Sequence, residues 1–164
     1  MRNCRKGTTA AFMLVLGVCL LLASSGYAQS KSGITGWEKD SPYNAHYVVS
    51  EFDNFKGSVE EIMDVTPMDG MAPGVGLVVR DQDGDKVAVQ LGPKSFVNVD
   101  SIGLKKGDKV KVKGVWADID GKEVFLASKV KKGEEVELKV RRTKDGAPFW
   151  TMTPEELAKE KAEE

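Results

Sequence analysis

Six short stretches of this chain alternate apolar and polar residues with a period of two: SVEEIMDV (58–65), GLVVRD (76–81), KVAVQLG (86–92), KVKVKGVW (109–116), EVFLASKV (123–130) and EVELKVRR (135–142). That period sends alternate side chains to opposite faces, so each stretch reads as a half-buried β-strand and the chain as all-β. Asp-Gly pairs, which accept positive φ, stand at Asp83-Gly84, Asp120-Gly121 and Asp145-Gly146. They close hairpins between strands two and three, between four and five, and between strand six and a last short piece, APFW. The connection between strands three and four differs. In GPKSFVNVDSIGLKKGD (92–108), Phe96, Val97, Ile102 and Leu104 supply a short helix or turn that caps one end of a barrel. Five antiparallel strands with such an excursion between the third and fourth is the layout of the OB-fold, a small Greek-key barrel. Gly57 and Gly114 stand where a barrel of this kind needs a bend or bulge. The expected fold is therefore an OB-fold-like barrel of five to six antiparallel strands over residues 53–150, with an added C-terminal hairpin. Another small open barrel or sandwich of similar strand count is the alternative.

The flanks are of a different character. Residues 1–28 combine a basic start (MRNCRK), an apolar run of 14 residues (10–23) and a small-residue end (SSGYA). This is the layout of a secretory signal peptide, and the run is short for a membrane span of ~20 residues. Cleavage is expected after Ala28, with lipoprotein processing at Cys19 as the alternative, and the product is periplasmic or secreted. Both cysteines, Cys4 and Cys19, leave with the signal, which excludes disulfides, thiolate nucleophiles and Cys-based zinc sites. Arg2, Arg5 and Lys6 leave too, so 24 basic residues become 21 against 25 acidic, a net charge of about −4. Residues 29–52 read as a leader and an arm that packs Trp37, Tyr43, Tyr47 and Phe52 on the barrel. Residues 151–164 read as a charged, solvent-facing helical tail, with Thr153 as N-cap, Pro154 at its first position and Glu156 completing a capping box.

WEKDSPYNAHY, FKGSVEEI, VTPMDGMAPGVGLVV, VQLGPKSF, KKGDKVKVKGV, ASKVKKGEEVELKVRR and DGAPFW together resemble a family of small exported bacterial proteins with an OB-like barrel and no settled function. The resemblance covers roughly residues 37–150, and its most specific pieces are SPYN, TPMxGM, LGP with a following aromatic, and DG-x-P-x-W. The last is matched by Asp145, Gly146, Pro148 and Trp150. In that family a Ser follows the Gly of the VKG segment and an Arg follows the last Trp. Here Val115 stands at the first position, and Thr151 and Met152 follow Trp150. The resemblance implies a compartment and a fold, and it carries no catalytic residue.

Few residues point to chemistry. The single histidine, His46, has no Cys and no Gly-x-Ser-x-Gly elbow to work with, so a nucleophilic enzyme has no constellation, and neither an enzymatic activity nor a cofactor is expected. DQDGD (81–85) spaces three carboxylates as a calcium loop begins, but strand three follows at once and a hairpin turn accounts for it. Thioethers prefer soft ions, so Met63, Met68, Met71 and His46 form a candidate copper or silver site, with gap-filling as the plainer use of methionine. Lys109, Lys111 and Lys113 form an outward row on strand four, with Lys129, Lys131, Lys132, Lys139, Arg141 and Arg142 following. Such a row binds single-stranded nucleic acid when aromatics stack beside it. Strands two and three carry none, and residues 53–150 hold 17 basic against 17 acidic residues, so a solvated strand face is the reading preferred here. The function expected is a monomeric, non-enzymatic binding module for a protein or oligomeric component of the cell envelope. Its candidate ligand-binding residues are Tyr43, Tyr47, Met68, Met71, Phe96 and Trp150, placed near the loop between strands one and two (66–76). Soft-metal binding and single-stranded nucleic-acid binding are the alternatives.

Overall fold

A computed structural model describes residues 31–162. The expected signal peptide, with Cys4 and Cys19, lies outside the described residues. The six predicted strands are present as β1 (Phe52–Val65), β2 (Gly74–Asp81), β3 (Lys86–Pro93), β4 (Lys109–Ile119), β5 (Lys122–Lys132) and β6 (Val136–Lys139). Neighbours run β3-β2-β1-β4-β5-β6, all antiparallel, and a short parallel pairing of β3 with β5 (Val89 with Phe125, Gln90 with Leu126) closes the first five into a barrel. The fold is all-β with a short C-terminal helix, as the alternating pattern requires.

Closure depends on β1 serving two neighbours. Residues 52–58 pair with β4 and residues 57–65 with β2, so the strand changes partners around Gly57. A Cβ at Gly57 would lie 2.3 Å from the Arg80 carbonyl oxygen, and one at Gly114 would lie 2.1 Å from that of Leu126. Both backbones approach closer than a side chain permits, and a bulge lies beside each, between Val59 and Glu61 and between Lys113 and Gly114. The β4–β5 hairpin closes through Asp120 (φ 53°) and Gly121 (φ 75°), the two left-handed residues of a type I′ turn. Between β3 and β4 a 3-10 turn, Val99–Ile102, is capped by Asn98 Oδ1, which accepts from the backbone N–H of Asp100 and Ser101. Val97 and Leu104 on either side of it are buried.

The core inside the barrel is mainly aliphatic (Val59, Leu77, Val79, Val89, Leu91, Val112, Leu126, Val130) with Phe125 packed against Phe55 and Trp116, and a second aromatic group lies where the arm meets the barrel. A single helical turn, α1 (Pro42–Ala45), is N-capped by Ser41, and Trp37, Tyr43 and Tyr47 are buried around it. Phe52 departs from expectation: it starts β1 opposite Val115 and stays exposed. The expected last hairpin is reduced to one bridge, Arg141 with Pro148. Proline has no N–H to extend a ladder, and Phe149–Thr151 turn away in a 3-10 turn. Helix α2 (Pro154–Ala162) starts with the predicted capping box: Glu156 Oε2 accepts from the Thr153 N–H at 2.7 Å and Thr153 Oγ1 from the Glu156 N–H at 3.3 Å. It is tied down more firmly than a solvated tail, because Arg142 pairs with Glu160 as well as with Asp145.

Candidate functional site

The predicted binding aromatics meet around one buried cation. The Arg141 guanidinium lies 4.6 Å from the ring centre of Trp150, 4.9 Å from Tyr47 and 5.8 Å from Tyr43. It donates to the Gly146 carbonyl at 3.2 Å and to Asn44 Oδ1 at 2.7 Å, and among the described residues no carboxylate pairs with it. Aromatic faces, a carbonyl and an amide thus replace the counter-ion that a buried arginine ordinarily has. Burial lowers its pKa from the usual value, and the two tyrosines act against that shift. Burial likewise pushes the Tyr43 hydroxyl up to about 12, with Arg141 working the other way. Trp37 is edge-on to both Tyr43 and Trp150, donates its indole N–H to the Ala72 carbonyl at 2.8 Å and accepts the Trp150 indole N–H at 2.7 Å.

This clasp brings Tyr43, Tyr47 and Trp150 together as the buried joint between arm and barrel. Phe96 stands at its edge, 6.2 Å from Trp150, and also lines a cleft of about 410 Å³ with Leu138, Phe149 and Leu157. The methionine loop is the seat of the same joint. Met71 closes a turn by donating its N–H to the Met68 carbonyl, its side chain packs under Gly36, and Ala72 bonds back to Thr35. Met68 is half-buried against the core. Met63 stands partly exposed on β1 beside a shallow cleft with Asp64 and Lys94, and His46 ends α1. Among the described residues no group of three His, Cys, Asp or Glu side chains is placed to hold a metal ion.

The lysines are organised in a way the sequence did not reveal. Directly opposed residues form two rows across the sheet: Lys56–Lys111–Lys131–Glu137, and Asn54–Lys113–Lys129–Lys139. With Lys109 beside Ser58, they make one basic face over β1, β4, β5 and β6. Like charges directly opposite on neighbouring strands destabilise a sheet, so this alignment costs stability. A single carboxylate, Glu137, answers part of it, lying 3.0 Å from Lys139, 3.4 Å from Lys129 and 3.8 Å from Lys131. Burial works to raise the Glu137 pKa, but the hydrogen bond from Lys139 and the charge of Lys129 outweigh it and hold the carboxyl below its usual range. Lys129 is lowered, first by burial, against the attraction of Glu137. Lys56, Lys109, Lys111 and Lys113 make no ion pair with a described residue, and together with Lys131 they line an open groove of about 570 Å³. Three other basic residues grouped with them by sequence have separate duties: Arg141 is in the clasp, Arg142 holds Asp145 and Glu160, and Lys132 holds Asp108. Lys56 lies outside the predicted strand, and only the register of β1 on β4 brings it into the row.

Residues 51–137 match the model of a family described as the MamS/MamX magnetosome protein family. The match runs from the start of β1 into β6, and so takes in the barrel and every lysine of the face except Lys139. Neither characterised proteins nor solved structures gave a match.

Proposed function

The chain belongs to the MamS/MamX magnetosome protein family, and from that membership and the groove described above we propose that it is an exported, non-enzymatic binding module on an OB-type barrel. Its ligand is a protein or an oligomeric component of the cell envelope or, as the family description suggests, of the magnetosome. The observation that carries this reading is the groove lined by Lys56, Lys109, Lys111, Lys113 and Lys131, a charged recess on a barrel whose buried aromatics are already used internally. The closed order β1-β2-β3-β5-β4 supports the OB assignment, and barrels of that kind bind ligands on their outer faces and loops. Export rests on residues 1–28.

The test is retention. Immobilised protein should hold a discrete component of a detergent-solubilised envelope fraction and release it with salt, and a Lys111→Glu, Lys113→Glu chain of unchanged Tm should not retain it. Retention of nothing by the wild-type protein, or equal retention by both chains, would remove this reading.

A further inference from the structure

We infer that the lysine groove binds an extended acidic polypeptide segment lying along β4, with carboxylates at every second residue; this rests on the reading of the protein as a binding module. Lys109, Lys111 and Lys113 occupy alternate positions of one strand, so their bases repeat every ~6.6–6.8 Å. An extended peptide presents every second side chain on one face at the same interval. Three carboxylates at positions i, i+2 and i+4 therefore match three ammonium groups in register, with Lys56 and Lys131 flanking the middle one on the neighbouring strands.

The face already shows how it holds such a group. Glu137, one strand beyond Lys131, is shared among three lysines on two strands. It is a carboxylate of this chain placed where the row Lys56–Lys111–Lys131 ends. Inward of it Lys56, Lys111 and Lys131 stand in one row, where Lys56 and Lys111 make no ion pair with a described residue. Because β4 lies between β1 and β5, and β5 between β4 and β6, over this region, a ligand along β4 rests on the face and does not extend the sheet.

The chemistry favours carboxylates over a nucleic-acid backbone. No aromatic residue lines the groove, so bases have no stacking platform. Arg80, the one guanidinium at the groove, is engaged by Glu60 and the Gly84 carbonyl, so no planar fork is left for bidentate phosphate recognition. Lysines answer separate point charges, and a peptide with alternating glutamates supplies them.

Fluorescence anisotropy on the purified protein tests this with three labelled probes: an alternating Glu-Ser peptide with five glutamates, a peptide of the same composition with the glutamates contiguous, and oligo-dT. The alternating peptide should bind at low salt, weaken as salt rises, and lose affinity roughly tenfold, about 1.4 kcal/mol, in a folded Lys111→Glu, Lys113→Glu chain. If that chain does not fold, Lys111→Gln should still weaken binding measurably. Equal binding of the contiguous peptide, tighter binding of oligo-dT, or an alternating peptide indifferent to both variants overturns the inference. Failure of all probes while an envelope component is still retained overturns the inference and leaves the binding module standing, whereas loss of both removes the module itself.

Discussion

Trp150 donates its indole N–H to the backbone carbonyl of Trp37, 113 residues earlier, at 2.7 Å. One bond thus joins the arm to the 3-10 turn Phe149–Thr151 that follows β6, at a buried site. Trp150→Phe keeps a ring but removes this donor, leaving the Trp37 carbonyl with the Asn44 side-chain amide at 3.2 Å as its partner. The expected loss is about 0.5–1.5 kcal/mol, a fall in Tm of roughly 2–6 °C by thermal melting. An unchanged Tm would show that the bond carries no weight.

Arg141 should tolerate no ordinary substitution. In Arg141→Lys the charge survives but the fork that reaches Gly146 and Asn44 and stacks on three rings does not. The barrel should still fold while the arm loosens, read as faster protease cleavage within residues 31–51 and faster amide exchange at Tyr43 to Tyr47. A digestion pattern identical to wild type would contradict the clasp.

The clasp also sets an alkaline limit. Tyr43 is pushed up to about 12 when folded and returns to the usual 10 when unfolded, so the folded state binds the extra proton. Its contribution is complete below pH 10 and is lost as pH rises from 10 to 12. Tyrosinate absorbance near 295 nm should appear late and together with unfolding; early, independent ionisation of both buried tyrosines would contradict this.

Acid acts through different residues. Glu137 and Asp145 are both held below their usual range, Asp145 chiefly by its hydrogen bonds from Arg142, so the unfolded chain takes up protons first. Their contribution is present above the ordinary carboxylate values of 4.5 and 3.8 and is lost as pH falls through the lower folded values. Tm measured from pH 6 down to 2 should decline across that window, and less steeply in Asp145→Asn.

The lysine rows make the opposite kind of prediction, a substitution that stabilises. Lys111 faces Lys56 on one side and Lys131 on the other, so Lys111→Gln should raise stability by about 0.2–1 kcal/mol at low salt, with the gain shrinking as salt is added. A lower Tm at every ionic strength would mean the row is not repulsive.

What could be read from the chain and what could not divide along one physical line. Local chemistry was legible: Asp120-Gly121 as a two-residue turn, the Thr153–Glu156 capping box, the bends at Gly57 and Gly114, and the alternation that names β2 to β5. Each is decided by neighbours a few residues apart. Register was not legible, because each of the bulges at Val59/Glu61 and Lys113/Gly114 shifts every later pairing by one residue. Without register, Lys56 and Lys131 cannot be set against Lys111, and Glu137 cannot be seen as the carboxylate of Lys129, Lys131 and Lys139. Arg141 was misleading for the same reason. Written as KVRR it looks like Arg142 beside it, yet one is nearly inaccessible and the other grips Asp145 and Glu160 at the surface. The site residues chosen from the methionine loop and the arm did gather, but into a joint, because aromatic residues in a small barrel are taken first by the need to bury surface.

The parallel seam between β3 and β5 has a further consequence. Two residue pairs close the cylinder there, and the side-chain oxygen of Gln90, one of the four residues involved, is buried with no hydrogen-bond partner among the described residues. A ring with one narrow join breathes at that join, so the amides of Val89 to Leu91 and Phe125 to Leu126 should exchange ahead of those in the middle of β4. Each opening bares two strand edges that match each other and, equally, those of another copy of the chain. Shelf life in concentrated solution, and the route by which this protein aggregates, should therefore be governed by four residues at the seam.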